Sequence, residues 1–150
     1  MSVTLVKSSA RKRVVHKPKT ASTAIAKGEL LYTTSGAVSP LSAASDERIA
    51  GVSQRTVAAT DSDYAAVAGT PESMIPVLID EDGLWEVTPS STTNTITNGA
   101  ALDWNNSTTV HVSNTTYDQF IASNPSGTSN LTKVRGVISR WEGSEPEATN

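Results

Sequence analysis

Apolar residues in this chain come in short runs separated by polar turns, and few of the runs are long enough to establish a helical repeat. Leu30, Leu31 and Tyr32 precede a Thr34-Ser35-Gly36 turn, Val38 and Leu41 carry the returning run, and Ile49, Ala50, Gly51 and Val52 begin another. Residues 27–53 therefore read as strand, turn, strand, loop, strand, and the rest of the chain is arranged around them. Residues 52–58, VSQRTVA, continue as a strand of partly alternating polarity. Asp61, Ser62 and Asp63 make a turn, residues 64–68 fit either a strand or one helical turn, and Gly69-Thr70-Pro71 breaks the chain again. The most apolar run, MIPVLI at 74–79, is followed by Leu84, Trp85 and Val87 across Asp80-Glu81-Asp82-Gly83. Two β-prone runs around a turn with Asp-Gly in it predict a hairpin. Pro76 places its strand at an edge or a bulge.

Beyond it, residues 88–98 form a polar stretch that reads as an exposed excursion. The opening pattern then returns in outline: Gly99 to Trp104 echoes Gly28 to Tyr32, and Val134 to Arg140 echoes Arg48 to Ser53, a degenerate internal duplication. Between them TTVHVS at 108–113 alternates as a strand, and YDQFIA at 117–122 is the best single-turn helix candidate. Residues 123–129 read as a loop, and 143–150 as a flexible acidic tail.

Composition sharpens this picture. With 150 residues, 37% hydrophobic and 18% charged, the chain suits one domain rather than two with separate cores. Much of the apolar share is Ala and there is a single Phe, so at about 25 cal/mol per Å² of buried apolar area the core is expected to be thin. Subunit contacts are then expected to supply part of the stability, with Tyr32, Trp85, Trp104 and Trp141 as the residues for core or oligomer packing. Ser and Thr, at about a quarter of the chain, favour short strands and turns. The absence of Cys removes disulfides, thiolate metal sites and Cys nucleophiles. No apolar run has the length of a signal-peptide core or a membrane span, and an aqueous, non-secretory setting is expected.

Charge is divided unevenly. Lys7, Arg11, Lys12, Arg13, Lys17 and Lys19 put six of the 12 basic residues before position 20 and no acidic residue there, which leaves the remainder at −9. Residues 1–20 accordingly read as an extended basic arm, mobile in the free protein, ahead of a β-rich body at 21–142. Its candidate contact residues are Val3, Leu5, Lys7, Arg11, Lys12, Arg13, Val14, Val15, Lys17 and Lys19: the charges draw it to an acidic surface and the apolar pairs add a strand to a partner's edge. A pI near 5.3 argues against nucleic acid as a specific partner of the body.

Catalytic signals are poor. His16 and His111 are the two histidines, neither beside a Ser elbow or a second metal ligand at useful spacing. Asp61/Asp63 and Asp80/Glu81/Asp82 pair carboxylates, but both lie in turns, where Asp bonds the local backbone, and neither has the spacing of a calcium loop. Phosphate-cradling glycine motifs are missing as well. No enzyme activity, cofactor or metal is expected.

The order of a Gly-led strand, a tight turn, a Val-Ser-Pro return, an Ala-Ser loop and an Ile-Ala-Gly-Val strand, within about residues 21–87, resembles the capsid decoration, or cement, proteins of tailed bacteriophages. The fold expected is mainly β: one compact barrel- or tulip-like domain with short helical turns and an extended N-terminal arm. The resemblance implies a homotrimer, made in the host cytoplasm, that sits on the outer surface of an expanded head and clamps adjacent major capsid subunits. The long basic arm and the excursion at 88–98 depart from the family pattern. A rival class is a virion adhesion or glycan-binding module reading a cell surface through Ser/Thr/Asn loops and exposed Trp. Another is a small enzyme or nucleic-acid binder using the arm, which salt-dependent DNA affinity would favour.

Overall fold

The computed structural model describes residues 1–42, 48–61, 74–112, 116–124 and 129–142. The strands in chain order are β1 (Thr4–Lys7), β2 (Arg13–Lys17), β3 (Leu30–Thr34), β4 (Ala37–Pro40), β5 (Gly51–Ser53), β6 (Ile75–Ile79), β7 (Leu84–Pro89), β8 (Ala101–Leu102), β9 (Thr109–Val110), β10 (Phe120–Ala122) and β11 (Val134–Ile138). They form two sheets. Sheet I has the order β1-β7-β11-β10-β8, with β9 added in parallel to the end of β7, and sheet II has the order β2-β6-β5-β3-β4. All the other ladders are antiparallel.

The chain is mainly β, and its sheets stay open instead of closing a barrel. Sheet II comes nearest to closure: Lys19, two residues past β2, makes a single bridge to Val38 of the opposite edge strand β4. Strands β2 to β6 all lie in sheet II and β7 to β11 all in sheet I, so only β1 breaks the division. Between the sheets the chain crosses twice, at residues 8–12 and 80–83.

Burial follows the period of a strand. Along β7 Trp85, Val87 and Pro89 point inward, and along β11 Val134, Gly136 and Ile138 do. These residues and those of sheet II make one continuous core. Two aromatic pairs fill it, Trp85 against Trp141 with ring centres 5.9 Å apart and Trp104 edge-on to Phe120 at 5.5 Å. Space for the rings comes from small neighbours: Gly136 sits in register between Ala122 of β10 and Trp85 of β7.

Several sequence expectations change here. No helix occurs among the described residues. In the 117–122 segment Phe120 and Ala122 point inward and Ile121 outward, and β10 forms between β8 and β11. The runs flanking Asp80 to Gly83 are strands, but not a hairpin: β6 pairs with β2 and β5, and β7 with β1, β9 and β11, so the turn is a corner between sheets. Pro76 lies in an interior strand; the β5 ladder stops at Ser53 opposite Val77, one residue short of the Pro position that has no N–H to give. Most of the 88–98 stretch is exposed as expected, but it is pinned to the body by Ile96, which is in the core, and by buried Asn94. Asn94 Nδ2 donates to the Ser91 and Leu131 carbonyls at 2.8 and 3.0 Å. The duplication is not repeated in the topology, since β3 pairs directly with β5 whereas β10 separates β8 from β11. The 64–68 segment and the 143–150 tail lie outside the described residues.

Two glycines separate a spatial requirement from a conformational one. A Cβ on Gly136 would stand 2.3 Å from the Ile121 carbonyl oxygen and 2.7 Å from the Phe120 ring, whereas one on Gly36 would meet nothing, its constraint being a φ of +80°. Gly136→Ala is expected to cost about 3 kcal/mol and Gly36→Ala about 1 kcal/mol. Urea denaturation of the two variants measures both.

Candidate functional site

The basic residues that the sequence sets apart are built into the fold. β1 pairs with β7 through Thr4 with Glu86 and Leu5 with Trp85, and β2 pairs with β6 from Arg13 with Ile79 to Lys17 with Ile75. Residues 1–20 are therefore not a separate arm: they supply one edge strand to each sheet. The physical reason is the apolar content that a tail would lack. Val3 is buried and its N–H donates to the Gly28 carbonyl at 2.8 Å, while Leu5 and Val15 pack against the core.

Their cations take three different environments. Arg11 and Arg13 are exposed at their tips but both reach Glu81, Arg13 Nη2 at 2.9 Å from Oε1, and Arg11 Nη1 also lies 3.6 Å from Asp82. Lys19 is buried, and its Nζ donates to the carbonyls of Thr20 at 3.2 Å and Ala59 at 3.5 Å. Lys7 and Lys12 are exposed, Lys17 is half-buried, and Val14 is 48% exposed on the outermost strand of sheet II.

The two sheet crossings touch one another through Asp80. Its carboxylate is buried and accepts the Ser9 backbone N–H at 2.6 Å on Oδ2 and the Ser9 hydroxyl on Oδ1. The Asp80 carbonyl accepts Gly83 N–H and Trp85 Nε1–H, each at 3.2 Å. Ser9 Oγ in turn accepts Arg11 N–H at 3.1 Å. The acidic corner and the basic one are thus partners of each other. Sequence reasoning missed Ser9, whose partner is 71 positions away.

Trp85, Trp104 and Trp141 are all buried, and Tyr32 is half-buried against the core, so no indole face is offered to a sugar or base. His16 is exposed on β2, and His111 is half-buried with its N–H on the Asp103 carbonyl at 2.9 Å. Asp61 Oδ2 accepts the Ala58 N–H at 2.8 Å, a local turn bond. Among the described residues no three His, Asp or Glu side chains come together as a metal site.

Lys27, outside the predicted set, joins Lys12 along a groove between β1 and the Ser53 and Leu78 positions of β5 and β6. Lys133 and Arg135 add further positive charge on sheet I, Arg135 Nε donating to Glu86 at 3.1 Å and Lys133 Nζ to the Thr88 hydroxyl at 3.0 Å. The positive surface therefore extends beyond the N-terminal segment, a convergence of distant residues that leaves no local signal. Compared with known proteins, the chain matches no family model and no curated protein.

Removing the Asp80 carboxylate leaves the half-buried Ser9 N–H and hydroxyl without their acceptor, so Asp80→Ala is expected to cost about 1–3 kcal/mol and to expose residues 8–12 to limited proteolysis. Glu81→Gln, which removes only ion pairs to exposed Arg tips, is expected to cost about 0–1 kcal/mol. Chemical denaturation ranks the two. Because the carboxylates at 80–82 are already engaged, calcium titration is expected to leave Tm unchanged, and a calcium-dependent rise would show a site that binds only the folded state.

Proposed function

We propose that this chain is a non-enzymatic structural protein of a virion that binds the outside of a tailed-phage capsid and clamps neighbouring major capsid subunits. The observation that carries this reading is the position of the basic segment on edge strands: β1 and β2 are the outermost strands of their sheets. Lys7, His16, Val6 and Val14 are exposed there, and Lys12 on the turn between them, on a chain whose remainder is formally −9. Such an edge presents cations and apolar side chains together, and suits a large acidic surface better than a small ligand. The likeness of the 21–87 segment to cement proteins supplies the identity of that surface.

In this reading the protein acts as a homotrimer, assembled in the host cytoplasm and held on the virion exterior. It needs no cofactor, membrane or specific nucleic acid. No helix among the described residues is long and apolar enough to cross a membrane. A glycan-reading adhesion module gains no support, because a stacking platform needs an exposed ring and all three Trp side chains are buried.

Cosedimentation with empty expanded heads tests the proposal. The intact chain is expected to pellet with the heads and to delay their thermal disruption, and light scattering is expected to give the mass of a trimer. Lys7→Glu combined with Val14→Asp is expected to weaken decoration at least about tenfold, more at low salt than at high. A folded protein that never pellets with heads would overturn the reading.

A further inference from the structure

We propose that the groove between β1 and strands β5 and β6 of sheet II receives an extended, acidic segment of a partner protein. This deepens the capsid-binding reading by naming what the partner presents, and rests on it for that partner's identity. The groove has a volume of about 450 Å³. One wall follows β1 and includes Leu5 and Val6, Leu78 of β6 faces it with Gln54 alongside, and Lys12 and Lys27 reach it from two separate turns.

Its shape matches a chain more closely than an ion. Residues 2–6 and 8 all line it, so at ~3.3 Å of rise per residue it is about 20 Å long. A single phosphate or carboxylate would occupy a small part of that length.

Charge sets the sign of the occupant. Arg11 and Arg13, on the neighbouring corner, are neutralised by Glu81 and Asp82, whereas neither the Lys12 nor the Lys27 ammonium meets a carboxylate among the described residues. Two unneutralised cations on one groove, in a protein of net charge −3, select carboxylates. The apolar surface fixes the rest of the pattern. Leu5 and Leu78 are largely covered and Val6 is 41% exposed, so an occupant with alternating acidic and apolar residues would set its acids on the lysines and its apolar side chains along Val6.

The groove is not a plain sheet edge. A register shift between Leu5 and Lys7 interrupts β1, which prevents a partner strand from continuing one regular ladder. Side-chain contacts therefore have to hold the segment, and selectivity falls to Lys12 and Lys27.

The test uses the full chain and a fluorescein-labelled, blocked peptide of about eight residues alternating Glu and Val, a length that spans the groove. Fluorescence anisotropy is expected to show saturable binding that weakens with salt and is lost at least about tenfold in Lys12→Glu/Lys27→Glu. Thr132→Glu, at an exposed position outside the groove lining, is expected to bind as the parent does. An alternating Lys-Val peptide is expected not to bind. Melting temperature of the double variant checks that it is folded; should it not fold, Lys12→Gln and Lys27→Gln singly carry the same comparison. Absence of saturable binding to the Glu-Val peptide, or equal binding by the double variant, would overturn the assignment. So would equal competition by an oligothymidylate, which would make the groove a general polyanion site, or a changed oligomeric mass in the double variant, which would make the occupant a second copy. Head cosedimentation of the same proteins separates the two ideas: decoration without peptide binding removes the groove and keeps the capsid reading, and peptide binding without decoration does the reverse.

Discussion

The architecture depends on one corner. Strands β1 and β7 form an antiparallel ribbon in sheet I, β2 and β6 form another in sheet II, and both chains turn from one sheet to the other side by side. At that bend Asp80 is fully buried, and a carboxylate out of water is strongly unfavourable unless its oxygens are hydrogen-bonded. Ser9 satisfies both, with its N–H and its hydroxyl. The Asp80 carbonyl anchors the Trp85 indole, so the corner also orients one of the three indoles of the core. A single polar contact thereby fixes the register of two ladders and the packing of the sheets they belong to.

What was legible in the sequence is what local chemistry decides. The runs at 30–34, 37–40, 51–53, 75–79 and 84–87 could be read as strands because each carries its apolar alternation or burial within a few residues. Pairing was not legible. An Asp-Gly turn predicts a hairpin when the turn satisfies its own polar groups, and here Asp80 spends its carboxylate on a residue 71 positions away. Ile96 was hidden for a related reason: one Ile among Thr, Asn and Ser makes no run, yet it is 1% exposed once Asn94 folds the stretch against Leu131. The basic segment misled because its charges outnumber its apolar residues, although Val3 and Leu5, with Val15, are what attach it to the core. Of the candidate site, the residues could be named from sequence but not their division into paired, buried and free cations.

That division changes what the N-terminal charge does. Arg11 and Arg13 serve the fold, holding the acidic corner in partly screened ion pairs. Lys19 serves it too, buried where sheet II links its two edges. Lys7 and His16 stay outward on the edge strands, and Lys12 on the turn that joins them. Cations and a bulge on an edge suppress edge-to-edge association between identical chains, because the like charges meet. They leave the same edge attractive to an acidic surface. If the capsid-binding proposal holds, one set of residues both disfavours edge pairing between copies and selects the acidic partner.

Order in this segment also changes the energetics of attachment. Fixing a disordered chain costs about 1–2 kcal/mol per residue in backbone entropy, so a free arm of this length would need a large gain in hydrogen bonds and burial before it bound at all. Here β1 and β2 are already laddered to β7 and β6, and that ordering is part of folding. A partner meeting these edges has only its own segment to immobilise. Under the capsid-binding proposal, stability and attachment are coupled through the corner: loosening the Ser9–Asp80 contact would return the ordering cost to the binding step, and affinity would fall even though no residue facing the partner had changed.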